Sequence, residues 1–481
     1  MIRATGNSNV IGFMPVGGTG FMQGEITANV NRDRVHKSMV PIGSKRTMHF
    51  AIQTMHRAKV RSIWVNYQEA NPEIASHLTE ISPFYGDCTL LPHPEKKPLG
   101  TAGSLADIAN RAKLKADDVV VVISGDIVTD FDMESMINAH AASGADVTIA
   151  VKQIGEKHRR MLGGCDTVSL VGMPTKFQSE ALRAYLDKEV VAKGRIAEID
   201  IYNRRLPWDR AVSNLADASI YILSGRFIKE QIIPNITERP APIDEAKAAN
   251  DIETLKAALL VAKNRSLNIQ DMLRKAVEGV SAQSEQEYAG CLYNIEHAFY
   301  RASRSKGFKM MAYLMPDNCY WRDVGTKYDV WRVNMDMLTS RYLHLLDLEN
   351  GVKNGLWEKT EWGWKGTDNV HIDPKAELKF PVIVGNNCSV EADAKLHMVV
   401  LGANTIVRQD TVLEYGVTFP HPDDVPGNVL GGGVLLKNFL FLGGELLLNE
   451  HFEGATFYVP EGNIIINPLY IPEEELKRKH G

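Results

Sequence analysis

Beyond Val370 the apolar side chains of this chain recur every sixth position, at Ile372, Leu378, Val384, Val390 and Leu396, and after a slip at Ile406 and Val412. That interval matches neither a helix of about 3.6 residues per turn nor the two-residue alternation of a strand. It is the pattern of a parallel β-helix, in which the inward position returns once per face of each coil. Gly385, Asn386, Asn387 and Gly402 fall where such coils turn corners, and these residue types tolerate the left-handed backbone of a corner. From Gly431 to Pro468 the chain stays β-like and glycine-rich without the clean repeat.

The first half of the chain has a different rhythm. A strand over Val10 to Val16 leads into Gly17-Gly18-Thr19-Gly20. Met48, Ala51, Ile52, Met55 and Ala58 then recur at three- and four-residue spacing, which predicts a helix from Met48 to Ala58. Arg61 to Tyr67 reads as a strand, Asn71 to Leu78 as a helix, and Asp118 to Ser124 as a continuously apolar strand. Such a strand suits a parallel sheet covered on both faces. Met133 to Ser143 reads as a helix and Asp146 to Val151 as a strand. This alternation predicts a doubly wound α/β sheet. Asp244 to about Arg304 reads as a charged helical insertion, and a helix near Lys327 to Leu345 closes the first domain. The expected boundaries are 1–350 for the α/β domain and 365–481 for the β-helix.

At 481 residues the chain is too long for one compact core. Its formal net charge of −5 gives no basic footprint, so no nucleic-acid partner is expected. Anionic substrates would be held by local cations and backbone amides. The five cysteines, Cys88, Cys165, Cys291, Cys319 and Cys388, show no metal-ligand spacing and suit free thiols in a reducing compartment. No export signal or membrane span is legible, so a cytoplasmic protein with no membrane partner is expected.

Two segments carry chemistry together. Ser124-Gly125-Asp126 and Arg322-Asp323-Val324-Gly325 each set a carboxylate beside a glycine in a turn. Two carboxylates can share one Mg2+, which takes few protein oxygens and leaves its other positions to phosphate and water. Asp126 ends an apolar strand, where ligands of open α/β sheets bind; a plain turn-forming aspartate, as Asp130 and Asp132 look to be, is the competing role. Asp323 is either the second metal ligand or a structural partner of Arg322. Gly17 to Gly20 can cradle phosphates with successive N–H groups, or form an ordinary tight turn. Lys37, before the apolar turn Met39-Val40-Pro41-Ile42-Gly43, is either a phosphate contact or a solvated lysine. In Pro98-Leu99-Gly100-Thr101-Ala102-Gly103-Ser104 the glycines admit a flat base. Thr101 or Ser104 there caps a helix with or without a ligand. No histidine sits beside a serine or cysteine in an elbow-like turn. Nucleotidyl transfer requires none, because a sugar-1-phosphate is already an anionic nucleophile that needs alignment and charge neutralisation.

In this order the segments resemble the nucleotide-sugar pyrophosphorylases, and most of the chain takes part. KSMVPIG resembles that family's KPxxPxG. DVVVVISGDIVTDFDMESMINAHAASGADVTIAV is similar to its metal-aspartate region, and NLADASIYILS to its sugar-site strand. PLGTAGSL resembles the guanylyl-transferring members, whereas YWRDVGTKYDVWRVNMDML is most similar to the ADP-glucose pyrophosphorylases. The resemblance implies a GT-A-like nucleotidyltransferase domain followed by a left-handed β-helix. It implies transfer of a nucleotidyl group from a nucleoside triphosphate to a hexose-1-phosphate, with ADP-glucose ahead of GDP-mannose-type chemistry. Mg2+ would be held by Asp126 and Asp323, and Lys37 would contact phosphate. Gly17, Gly18, Thr19, Gly20, Gly100, Thr101 and Gly125 would bind the nucleotide, and Asp217 and Ser219 the sugar phosphate. Self-association, or assembly with an active paralogue, is also implied.

Two departures stand out. The family's glycine loop runs on to an arginine, but here Phe21, Met22 and Gln23 follow and no arginine occurs before Arg32. Where the family has a Glu-Lys-Pro that grips the sugar phosphate, this chain has Gly172-Met173-Pro174, with Lys176 as the nearest cation. A non-catalytic, ligand-sensing paralogue is therefore the second expectation.

Overall fold

A computed structural model describes residues 9–16, 36–96, 99–154, 167–170, 196–200, 215–234, 295, 298–299, 302, 307–419, 428–446, 451–459 and 465–468. Gly17 to Gly20, Lys176 and nearly all of the expected insertion lie outside them. The described chain forms two compact units: 1–18 with 51–125 and 131–321, and 19–50 with 126–130 and 322–481.

The first unit is built on a mixed nine-stranded sheet. Its strands and helices run β1 (Val10–Pro15), β2 (Ser62–Gln68), α1 (Pro72–Ile81), β3 (Thr89–Glu95), α2 (Gly100–Arg111), β4 (Val119–Ile123), α3 (Met133–Ser143), β5 (Val147–Gln153), β6 (Thr167–Leu170), β7 (Ile196–Asp200), β8 (Leu215–Ser224) and β9 (Met310–Leu314). The order β3-β2-β1-β4 is parallel throughout. β8 then enters antiparallel to both β4 and β5, and β9 lies parallel to β5. The chain leaves β1 toward β2 on one side, while β4 flanks β1 on the other. The carboxyl ends of β1 and β4 are thus the switch point of the sheet, where open α/β sheets bind ligands. β4 is apolar because its residues from Val120 to Ile123 are all buried. Phe13, Leu105, Val122, Ile149, Tyr221, Phe227 and Phe299 form one core with their neighbours.

Helix starts follow local chemistry. α1 has Pro72 in its first turn, where a missing N–H costs nothing. Asp132 caps α3 by accepting from the Ser135 amide at 3.0 Å, and Gly144 closes it at φ 59°.

In the second unit the expected long helix stops early. It spans Lys327–Met337 and is followed by a 3-10 turn over Leu343–Leu346. The rest of this unit is dominated by short parallel strands. Glu377–Val384, Lys395–Leu401, Val412–Thr418 and Leu435–Leu446 pair in parallel. A second parallel ladder joins His371–Ile372, Ser389–Val390, Thr405–Val407 and Asn428–Leu430. Leu378, Leu396, Leu413 and Leu436 align one above another. Left-handed residues stack at the bends: Asn369, Asn387 and Asn404 at one, Met398, Tyr415 and Asn438 at another.

The six-residue series needs one correction. After the slip, Ile406 and Val412 are only half-buried, and the inward positions are Val407 and Leu413. The repeat from Leu396 to Leu413 is one residue shorter than that from Leu378 to Leu396, so the apolar phase moves by one.

Candidate active site

Lys37 opens a 3-10 turn, Lys37–Met39, that His36 caps: its ring accepts from the Ser38 amide at 3.2 Å. The next bend, Pro41 to Gly43, is held by Asn334 of the helix Lys327–Met337. The Asn334 carbonyl accepts from the Gly43 amide at 2.7 Å, and its amide donates to Pro41 O at 3.1 Å. Gly43 is left-handed at φ 57°, and a Cβ there would lie 2.6 Å from Leu346. These contacts explain the apolar PIG segment and fix the base from which Lys37 projects.

Lys37 Nζ forms an ion pair with Asp126 Oδ2, and the Asp126 side chain is only 8% exposed. Asp126 heads the short strand Ile127–Thr129, which pairs with Trp321–Asp323. The Val324 N–H donates to the Asp126 carbonyl at 3.0 Å. Asp126 and Asp323 therefore stand on neighbouring strands, although 197 positions apart in the sequence (323 − 126). Arg322 reaches Asp329 at 3.3 Å. The Lys37–Asp126 ion pair thus stands beside the strand that carries Asp323. Hard carboxylate oxygens fit Mg2+, and Asp126 already balances a cation.

In the first unit a buried network holds Val16, just past β1. The Asn66 carbonyl accepts from the Val16 amide at 2.9 Å, and its amide donates to Glu95 at 3.1 Å and Ser104 at 3.0 Å. Glu95 also accepts from the Leu99 amide at 3.3 Å. Burial pushes the Glu95 carboxyl above its ordinary value, against the hydrogen bonds from Ser104, Asn66 and Leu99. The expected cap is corrected here. Leu99 occupies the N-cap without a side-chain bond, Gly100 takes φ 71°, and Ser104 Oγ donates back to Gly100 O at 2.8 Å. The Thr101 hydroxyl accepts from the Ile295 amide at 2.9 Å, so it is used within the fold. The Gly125 amide donates to Pro15 O at 3.2 Å, tying the ends of β1 and β4.

Asp217 and Ser219 sit at an irregularity where the β8 register shifts between Asp217 and Tyr221. Ser219 is left-handed at φ 55°, a conformation that costs a non-glycine residue energy and clusters at functional sites. The Asp217 carboxylate accepts from the Ser219 amide at 2.8 Å and the Tyr221 hydroxyl at 3.1 Å. Trp321 Nε1 donates to Ala218 O at 2.9 Å. The bulge is thus stapled from inside.

Sequence reasoning missed Asn66, Glu95, Asn334 and Asp329. Asn66 left one trace, a lone amide near the carboxyl end of an apolar strand. The others carry no local signature, because their roles lie in contacts far along the chain.

Residues 32–163 match the family described as Nucleotidyl transferase. Two relatives, both called glucose-1-phosphate adenylyltransferase, align over most of the chain. The protein of Bacillus thuringiensis (strain Al Hakam) is 22% identical over 466 residues, 94% of this chain and 96% of its own. That of Clostridium kluyveri is 22% identical over 426 residues, covering 84% and 86%. Through these matches the chain is similar to the nucleotide-sugar pyrophosphorylases. Among them the similarity is to proteins called glucose-1-phosphate adenylyltransferase.

Proposed function

We propose that this chain is a Mg2+-dependent nucleotidyltransferase that makes ADP-glucose from ATP and glucose-1-phosphate. The observation that carries the proposal is the Lys37–Asp126 ion pair on a strand that neighbours the one bearing Asp323. A phosphate oxygen of glucose-1-phosphate attacks the α-phosphorus of ATP. A new P–O bond forms, the bond to the β-phosphate breaks, and its electron pair leaves with pyrophosphate; no proton transfer is required. Lys37 would support the charge growing on the α-phosphate, and Asp126 and Asp323 would hold the ion. Bound Mg2+ supplies charge neutralisation and alignment of the phosphates. By the family resemblance, Gly17, Gly18, Thr19 and Gly20, with Gly100, Thr101 and Gly125, would bind the nucleotide, and Lys176, Asp217 and Ser219 the sugar phosphate.

The C-terminal region 365–481 is a left-handed β-helix, a reading supported by the stacked parallel ladders and left-handed bends. The protein acts in the cytoplasm as a homo-oligomer. Among the described residues no helix is long and apolar enough to cross a membrane. A guanylyltransferase acting on mannose-1-phosphate is the rival substrate assignment, favoured by PLGTAGSL.

The test is pyrophosphate release by pure protein with Mg2+, each nucleoside triphosphate, and glucose-1-phosphate or mannose-1-phosphate. ATP with glucose-1-phosphate is expected to be fastest, with Asp126→Asn and Asp323→Asn each lowering kcat by roughly a hundredfold or more. No release with any pair would defeat the proposal. It would favour a second reading, a regulatory paralogue of an active subunit. The Phe21-Met22-Gln23 and Gly172-Met173-Pro174 departures point that way, and co-purification with a partner enzyme would show it.

A further inference from the structure

The turn from Arg322 to Thr326 presents Asp323 between a strand that ends at Asp323 and a helix that begins at Lys327. We infer that Asp329 is the positioning residue of this turn. Its buried carboxylate grips Arg322 on one side and Thr326 on the other, and so sets the direction in which Asp323 meets a divalent cation. The inference rests on the metal role proposed above for Asp323.

One Asp329 oxygen, Oδ2, accepts from the Thr326 amide at 3.0 Å and from the Thr326 hydroxyl at 2.6 Å. The other, Oδ1, accepts from Arg322 Nη1 at 3.3 Å. The Asp329 amide donates back to the Thr326 hydroxyl at 3.1 Å, completing a reciprocal cap. A helix cap alone asks only for the Thr326 contacts; the Arg322 contact closes the turn across its mouth. Arg322 is restrained further by Asp336 at 4.0 Å, and Asp336 is itself paired with Arg332 at 2.8 Å. The Val324 amide is fixed to Asp126 O at 3.0 Å. Arg322, Val324 and Thr326 are thus anchored at alternate positions, and Asp323 stands between two of these anchors. Asp329 is only 3% exposed, so it works through Arg322 and Thr326.

The probe is Mn2+, titrated into the full chain and followed by the electron paramagnetic resonance of the free ion. Asp329→Asn keeps an acceptor for Thr326 but cannot pair with the guanidinium, and Thr326→Val removes the hydroxyl. Each is expected to weaken Mn2+ binding about tenfold, the scale typical of residues that orient metal ligands. Hydrogen exchange across 320–327 should be faster in both, already without metal. Thr326→Ser, which keeps the hydroxyl, should stay within about twofold of wild type on both measures. A folded Asp329→Asn protein with wild-type Mn2+ affinity overturns the inference. If Asp329→Asn does not fold, a folded Thr326→Val with wild-type affinity overturns it equally. Mn2+ binding that ignores Asp126→Asn and Asp323→Asn overturns the metal reading and the positioning role with it, even where exchange shows the turn loosened.

Discussion

His140 shows how a single buried side chain sets the response of the fold to acid. Its ring nitrogen Nδ1 faces Thr148 Oγ1 at 2.8 Å. Burial drives its pKa down to about 4 from 6.5, with Asp146 opposing. The native ring therefore stays neutral while the unfolded chain takes up a proton, so stability falls as pH drops from about 6.5 to 4. Wild-type protein is expected to lose about 2 kcal/mol from this group between pH 7 and pH 5. In urea unfolding, His140→Leu should shrink the difference between those two pH values; an unchanged difference would refute the assignment. At this scale the sequence spoke unevenly. The places of Asp126 and Asp323 were legible, one just after an apolar strand and the other in a glycine turn. Asn66 was not, since nothing local distinguishes an amide that holds Val16, Glu95 and Ser104 together from any polar residue in a strand.

Among the elements, the helix Lys327–Met337 has the widest reach. Asn334 holds the Pro41–Gly43 bend, Asp329 the Asp323 turn, and Trp331 Nε1 donates to Tyr415 O at 2.8 Å. One helix thus supports two of the three segments that carry Lys37, Asp126 and Asp323, those of Lys37 and Asp323. The parallel strands beyond it make a sharper test of packing. Leu413 is fully buried and Val412 is not. Leu413→Ala is expected to cost about 2–5 kcal/mol, and Val412→Ala under about 1 kcal/mol. Reversed costs in thermal unfolding would restore the uncorrected series. Most elements were legible because their burial is periodic: the helix over Met133–Ser143 ends where the sequence said. The one-residue slip was not, because it reflects the length of a single repeat rather than the pattern within it. The helix end at Met337 was hidden for a similar reason, since apolar residues continue into the following turn.

For the whole molecule, the compact unit that holds Lys37, Asp126 and Asp323 is assembled from three separate stretches, 19–50, 126–130 and 322–481. A chain ending after residue 350 would keep Lys37, Asp126 and Asp323 but lose the strand against which Trp331, 1% exposed, is bonded. Such a chain is expected to show red-shifted tryptophan emission and to aggregate during gel filtration. A monodisperse product with wild-type emission would mean that 1–350 stands alone.

The bond from Gly43 to Asn334 spans 291 positions. On the ribosome, the stretch bearing Lys37 emerges long before its anchor has been made. Ordering so distant a pair carries a loop-closure cost that the nearby, repeating contacts of the C-terminal strands escape. A nascent chain halted short of residue 334 carries Lys37 and Asp126 but lacks the side chain that ties down the Pro41–Gly43 bend.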